Sequence, residues 1–221
     1  MIHCLPIPTP FQVGRVNVYL IEDDPLTLVD TGPNSGKALD ELEQALAAHG
    51  RRVEDLELIV ITHQHIDHQG LAQILARRSG AEVAALDVLA PLLEQFADAN
   101  EADDAFAEAL MLRHGLAPDM AVALRSVSRA FRAWGSSVAV DRRLRDGGVL
   151  ELRDRRLQVF HRPGHSPTDT IFWDEERAEL IAADHLIKHI SSNPLVSRPL
   201  DGGTERPQSL VTYMASLRRT R

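Results

Sequence analysis

With 221 residues and a net charge of −8, the chain has the length of one domain, or of one domain carrying an insertion, and the composition of a globular protein. It holds no run of about 18 apolar residues, which excludes a membrane-spanning helix, and its acid excess disfavours non-specific nucleic-acid binding without excluding a local basic patch. Met1–Pro10 lacks a basic region followed by an apolar core, so no secretory signal is expected; the single cysteine, Cys4, rules out an internal disulfide and makes a cytoplasmic setting the default.

Phe11 to Ile21 reads as a strand carried by Val13, Val16, Val18 and Leu20, and Glu22-Asp23-Asp24-Pro25 as a turn. Leu26–Asp30 is a second strand, closed by Thr31-Gly32-Pro33, so the two are expected to form an antiparallel hairpin. Lys37 to His49 is an amphipathic helix with Leu39, Leu42 and Leu46 on its buried stripe and Gly50 placed to end it. Glu57–Ile61 is an apolar, β-branched run, the pattern of a buried strand, and Gly70–Arg78 after it has helical spacing at Leu71, Ile74 and Leu75.

Between that strand and that helix lies Thr62-His63-Gln64-His65-Ile66-Asp67-His68. If the extended backbone continues briefly, His63 and His65 point to the same side, because alternate side chains of a strand share a face. If the chain then turns into helix, Asp67 and His68 project from its first turn, where they could hold a second ion. Imidazole and carboxylate together suit zinc, and also iron or manganese.

Glu82–Leu86 is a further strand. From Asp87 to about Ser136 the pattern changes to three helices, at about 88–99, 103–114 and 118–134, with His114-Gly115 and Trp134-Gly135 as stops. This helical insertion, 87–136, is either an extra packed layer or a lid over a site. Strands resume at 149–152, 157–161, 170–173 and 180–183. The third of these follows Pro163-Gly164-His165-Ser166-Pro167-Thr168, and the last ends at Asp184. His185 and His189 read as neighbours of a site, whereas His3, His49, His114, His161 and Cys4 have no supporting pattern. Thr204–Arg218 is a helix with Leu210, Met214 and Leu217 on one stripe. Strands and helices alternating after an initial hairpin suit an α/β sandwich, sheets inside and helices outside.

The stretch Thr62–His68 is similar to the HxHxDH signature of the metallo-β-lactamase superfamily, and Asp30-Thr31-Gly32, Pro163-Gly164-His165 and the strand-end Asp184 are similar to further motifs spread along that family. The resemblance covers most of the chain outside the helical insertion, a region where members differ and shape their substrate pockets. It implies an αββα sandwich of two mixed β-sheets with outer helices. It also implies a first metal held by His63, His65 and His165, with one coordination position open to water. A second metal would lie on Asp67, His68 and a bridging Asp184, and Asp30 would support the ligands without touching metal. Two departures stand out: Thr168 where glycine is frequent, and no Gly-His-Gly turn, whose histidine binds the second metal in the family. The missing turn leads to an expectation that a C-terminal strand is absent, that the second ion is weak in this chain, and that an exposed sheet edge invites a homodimer. Asp184 stands where β-lactam-cleaving members typically carry cysteine, so another branch is indicated.

The expected activity is that of a zinc-dependent hydrolase, with one or two ions, in which Asp67 orients a zinc-activated hydroxide for attack on a small-molecule ester-like bond. A glyoxalase-II-like acyl thioester, or a lactone, suits the acidic charge and the apolar insertion. Three alternatives stay open: a phosphodiesterase or ribonuclease, an iron-dependent persulfide-dioxygenase-like oxidoreductase using His63, His165 and Asp184, and a non-catalytic metal-binding module.

Overall fold

The protein is described by a computed structural model covering residues 1–12 and 14–220. Six strands form the first sheet in spatial order β1 to β6: β1 (Ile2–Pro8), β2 (Arg15–Ile21), β3 (Thr27–Val29), β4 (Leu58–Ile61), β5 (Glu82–Leu86) and β6 (Arg142–Leu144). The β1–β2 and β2–β3 pairs are antiparallel, and β3–β4, β4–β5 and β5–β6 are parallel. The second sheet runs β10 (Glu179–Ile181), β9 (Thr170–Asp174), β8 (Arg156–His161), β7 (Val149–Glu151). It is antiparallel throughout, where the resemblance implied a mixed sheet, because its strands follow one another through connections too short for a crossover. Val18, Leu28 and Val60 of the first sheet share one apolar core with Leu150, Val159 and Phe172 of the second.

Helices cover this sandwich. α1 (Gly36–Ala48) packs on β1 through buried Ala38, Leu42 and Leu46. Ser35 caps it by accepting from the Ala38 N–H, and Gly50 adopts φ 69° just past its end, as a helix stop requires. The short α2 (Ile66–Gln69) and then α3 (Ala72–Ser79) follow β4.

Several elements were hidden in the sequence. β1 was masked by Pro6 and Pro8; it tolerates proline because it is an edge strand, bonded only to β2. The strand expected from Phe11 begins at Arg15, and Val13 lies outside the described residues. β6 is three residues long and carries two exposed-edge arginines, Arg142 and Arg143, so it showed no apolar run. In the helical insertion the three expected helices are α4 (Ala90–Glu94), α5 (Phe96–Arg113) and α6 (Pro118–Phe131), with a 3-10 turn at Arg132–Trp134. The break falls at Gln95, and the polar stretch from Asn100 to Asp104 continues the α5 helix. Its acids are matched by arginines from α6 and the turn after it: Arg125, Arg129 and Arg132 all reach Glu101, and Arg132 also pairs with Asp104.

α7 (Ser209–Arg219) corrects the expected stripe. Leu210 and Met214 are exposed, and the buried face is Tyr213 and Ser216. Their hydroxyls explain it: Tyr213 donates to the His185 carbonyl at 2.8 Å and Ser216 to the Pro163 carbonyl at 2.6 Å. Docking by hydrogen bonds onto a loop leaves the apolar stripe outside.

Candidate metal centre

The ends of strands from both sheets meet at one place. β4 delivers Thr62 and His63, the turn into α2 delivers His65, Asp67 and His68, the loop after β8 delivers His165, and the 3-10 turn after β10 delivers Asp184. A backbone bond from Thr170 N–H to the Thr62 carbonyl, 3.1 Å, ties the two sheets together at this point.

Hydrogen bonding aims each imidazole. His165 Nδ1 donates to the Asn193 carbonyl at 2.9 Å, which leaves Nε2 with its lone pair. The Thr62 hydroxyl gives its proton to the Asp30 carboxylate, 2.8 Å, so His63 Nδ1 donates to the Thr62 oxygen at 2.9 Å and again Nε2 is free. His63 Nε2 and His165 Nε2 then lie 3.0 and 2.9 Å from His65 Nδ1. His65 Nδ1 is within hydrogen-bonding distance of both free lone pairs, so a proton or a cation at this point is shared by three ring nitrogens. His68 Nδ1 is tied to Asp30 Oδ2 at 2.7 Å, and its Nε2 is buried without a hydrogen-bond partner, 3.4 Å from an oxygen of Asp184. The other Asp184 oxygen is 3.5 Å from His165 Nε2.

Two groups of donors result, each within 4.8 Å of one another: His63, His65 and His165, and His63, His68 and Asp184. Borderline nitrogen and oxygen donors of this kind fit a divalent transition ion. Five of the six expected ligand positions are thus brought together. Asp67 lines the same cavity but joins neither group, and His63 stands in both. The shared His63 was not foreseen; nothing in the spacing distinguishes it from His65.

The electrostatics differ between the groups. Burial pushes the His63 imidazole well below its ordinary value, helped by His68, and burial with His165 takes His65 down to about 3. Both rings are neutral at pH 7, the form that binds metal. Burial works against a charged His68 too, but the Asp30 carboxylate, Asp184 and Asp67 outweigh it and hold His68 well above the usual histidine range. Burial would raise Asp184, yet His68, His165 and His65 bring it to about 2.

Asp30 is the keystone beneath the site. It is buried at φ 61°, a left-handed backbone tolerated by aspartate, and accepts from the Thr62 N–H at 2.9 Å, the Thr62 hydroxyl and His68. Thr168 does not use the backbone freedom of the glycine frequent at its place. Its φ is not positive, and its hydroxyl donates to Gln64, joining the two histidine loops. His185 is fully buried but faces α7, with Nε2 bonded to Thr220 at 3.0 Å. Neither His185 nor His189 is among the residues that line the cavity, and neither joins a donor group. His3 pairs with Glu22 and stacks on His49, and His161 bonds the Pro167 carbonyl, so these rings serve local structure.

Gly164 holds the His165 loop against α7. A Cβ there would lie 2.5 Å from the Tyr213 ring and 2.7 Å from its Cα. Gly164→Ala is therefore expected to cost about 1–3 kcal/mol by overpacking, read as a lowered midpoint in urea. An unchanged midpoint would show that α7 gives way freely.

Sheets packed face to face, helices outside and a His/Asp cluster at the strand ends define a metallo-β-lactamase-type protein. Residues 12–219 match the model of the metallo-beta-lactamase superfamily, and the chain belongs to that family. It is 32% identical over 214 residues to the probable metallo-hydrolase YqjP of Bacillus subtilis (strain 168), a match covering 96% of this chain and 65% of that protein. The chain thus spans about two-thirds of the length of this curated relative. The metallo-beta-lactamase family protein TTHA1429 from Thermus thermophilus superposes with a TM-score of 0.77 at 29% identity, covering 99% of this chain and 68% of that one. BJP-1, a subclass B3 metallo-beta-lactamase of Bradyrhizobium japonicum, shares the fold at a TM-score of 0.64 and 24% identity, over 97% of this chain and 74% of that one. Among the described residues no helix is long and apolar enough to cross a membrane.

Proposed function

We propose that this chain is a metal-dependent hydrolase of a small-molecule ester-like bond, an acyl thioester or a lactone, with zinc as its metal. The observation that carries this reading is the meeting of three ring nitrogens at one point: His63 Nε2 and His165 Nε2 lie 3.0 and 2.9 Å from His65 Nδ1, with the His68–Asp184 pair beside them. Imidazoles gathered this closely, with their other nitrogens held by hydrogen bonds or turned away, offer the donor set of a divalent ion. His63, His65 and His165 would hold one ion, and His68 and Asp184 a second, with Asp67 beside them. A divalent ion in such a site supplies Lewis acidity and makes coordinated water acidic near pH 7.

The chain's own residues do the remaining work. Asp67, half-buried in the cavity wall, would be the group that accepts from the attacking water and orients it. Asp30 and Thr62 fix the tautomers of His68 and His63, so that their Nε2 atoms face inward. The Asn193 carbonyl does the same for His165. A cytoplasmic setting suits the exposed thiol of Cys4.

The test compares the purified chain after chelation and after reloading with zinc, on a thioester that releases a titratable thiol and on a simple lactone. Chelation is expected to reduce turnover about a thousandfold, the loss of about 4 kcal/mol of charge stabilisation. Iron-dependent oxygen uptake, or no turnover of either substrate after zinc loading, would overturn the reading.

A further inference from the structure

The metal centre forms the floor of a cavity of about 950 Å³. That is the upper end of the range of about 300–1,000 Å³ for small-molecule pockets, far more than an acetyl group needs. Its upper lining comes from three segments distant in sequence: the loop holding Phe11, the C-terminal end of α6 with Phe131, and the irregular stretch carrying Leu186, Ile190 and Leu195. Single apolar residues at a surface are ordinary. Here they converge on one space while open to water: Phe131 is 42%, Leu186 43%, Ile190 58% and Leu195 41% exposed.

Phe11 meets Phe131 edge-on at 5.6 Å and Trp134 at 5.7 Å, and Phe131 stays partly open to water. The other exposed apolar groups of the lining, Leu186, Ile190 and Leu195 among them, are aliphatic. Charge narrows the occupant further. Of the cations lining the cavity, Arg132 is committed to Glu101 and Asp104, and Arg15 to Glu41. Lys188, at the exposed rim, is the one lining cation without an ion-pair partner among the described residues. Asp67, Asp103 and Asp184 line the same space. A phosphodiester or a polyanion finds no guanidinium pair there, whereas an uncharged chain finds apolar walls.

We propose that this cavity takes a substrate with an uncharged aliphatic acyl chain, its carbonyl at the His/Asp floor and its chain among Phe131, Leu186 and Ile190. The proposal rests on the hydrolase reading for its chemistry and on the lining residues for its specificity. In the reaction, water adds its oxygen to the acyl carbon, and the bond from that carbon to the leaving oxygen or sulfur breaks. The leaving group departs with a proton, and the fatty acid is released with the other.

The experiment uses the zinc-loaded full chain with two measurements. One is kcat/KM for p-nitrophenyl acetate against p-nitrophenyl octanoate. The other is binding of 2-undecanone, which cannot be hydrolysed, followed by tryptophan fluorescence in a Trp173→Phe background, where the signal is that of Trp134 in the aromatic cluster. The octanoate is expected to be favoured at least tenfold, since each buried methylene contributes severalfold. Phe131→Ala and Ile190→Ser, both at exposed positions, are each expected to cut that preference at least threefold and to weaken ketone binding. Hydrolysis of both esters at equal rates, or no binding of the ketone, would overturn the acyl-chain assignment while leaving the hydrolase reading standing. Ketone binding that weakens in both variants, with neither ester hydrolysed, would support the apolar site and count against the hydrolase.

Discussion

His63→Ala is expected to empty the first metal position and to reduce hydrolysis about a thousandfold or more. His63 stands within reach of both donor groups, but with Nδ1 donating to Thr62 its one free lone pair serves a single ion. Its loss leaves His65 with His165, two donors, too few for the four-coordinate site that divalent zinc prefers. His65→Ala is expected to lose the same ion, whereas His68 and Asp184 keep the donors of the second. Metal content by elemental analysis after dialysis checks this. An undiminished zinc content in His63→Ala would show that His63 is not a ligand.

The second large effect is expected at Asp30. Asp30→Asn keeps the size of the side chain, and asparagine also tolerates the left-handed backbone at φ 61°. What it removes is the charge and one acceptor facing buried donors. The Thr62 N–H, the Thr62 hydroxyl and His68 Nδ1 all compete for what remains. Breaking such a buried charged network typically costs about 3–5 kcal/mol. Loss of a group that orients a metal ligand lowers affinity by about 10–100-fold. Both are expected here, as a lower unfolding midpoint of the metal-free chain and a weaker zinc affinity. Wild-type values for both would show that Asp30 does not orient the site.

How much of this was legible depends on whether the signal was local. The donor cluster at 62–68 is local: a buried strand, a turn and a helix start within a dozen residues, each with its own pattern. So is the helix of Gly36–Ala48, whose leucines and terminal glycine agree. β1 was illegible because its two prolines read as loop, and only its edge position makes them tolerable. The face of α7 was misread because it docks through Tyr213 and Ser216 hydroxyls, which no apolar periodicity reports. The nearness of His63 to both donor groups, and the convergence of Phe11, Phe131 and Ile190 on one cavity, depend on segments brought together only by the fold. The stretch after Asp184 has no repeating pattern, yet it supplies Asn193 to His165 and much of the apolar wall.

The converging ring nitrogens are expected to hold metal. Crystals of the zinc-loaded chain, measured at the zinc absorption edge, test it directly. The expected anomalous peak lies among His63 Nε2, His65 Nδ1 and His165 Nε2, with any second peak between His68 Nε2 and Asp184. A zinc peak elsewhere in the molecule, or none in crystals of protein shown to contain zinc, would show that these nitrogens are not the metal's ligands.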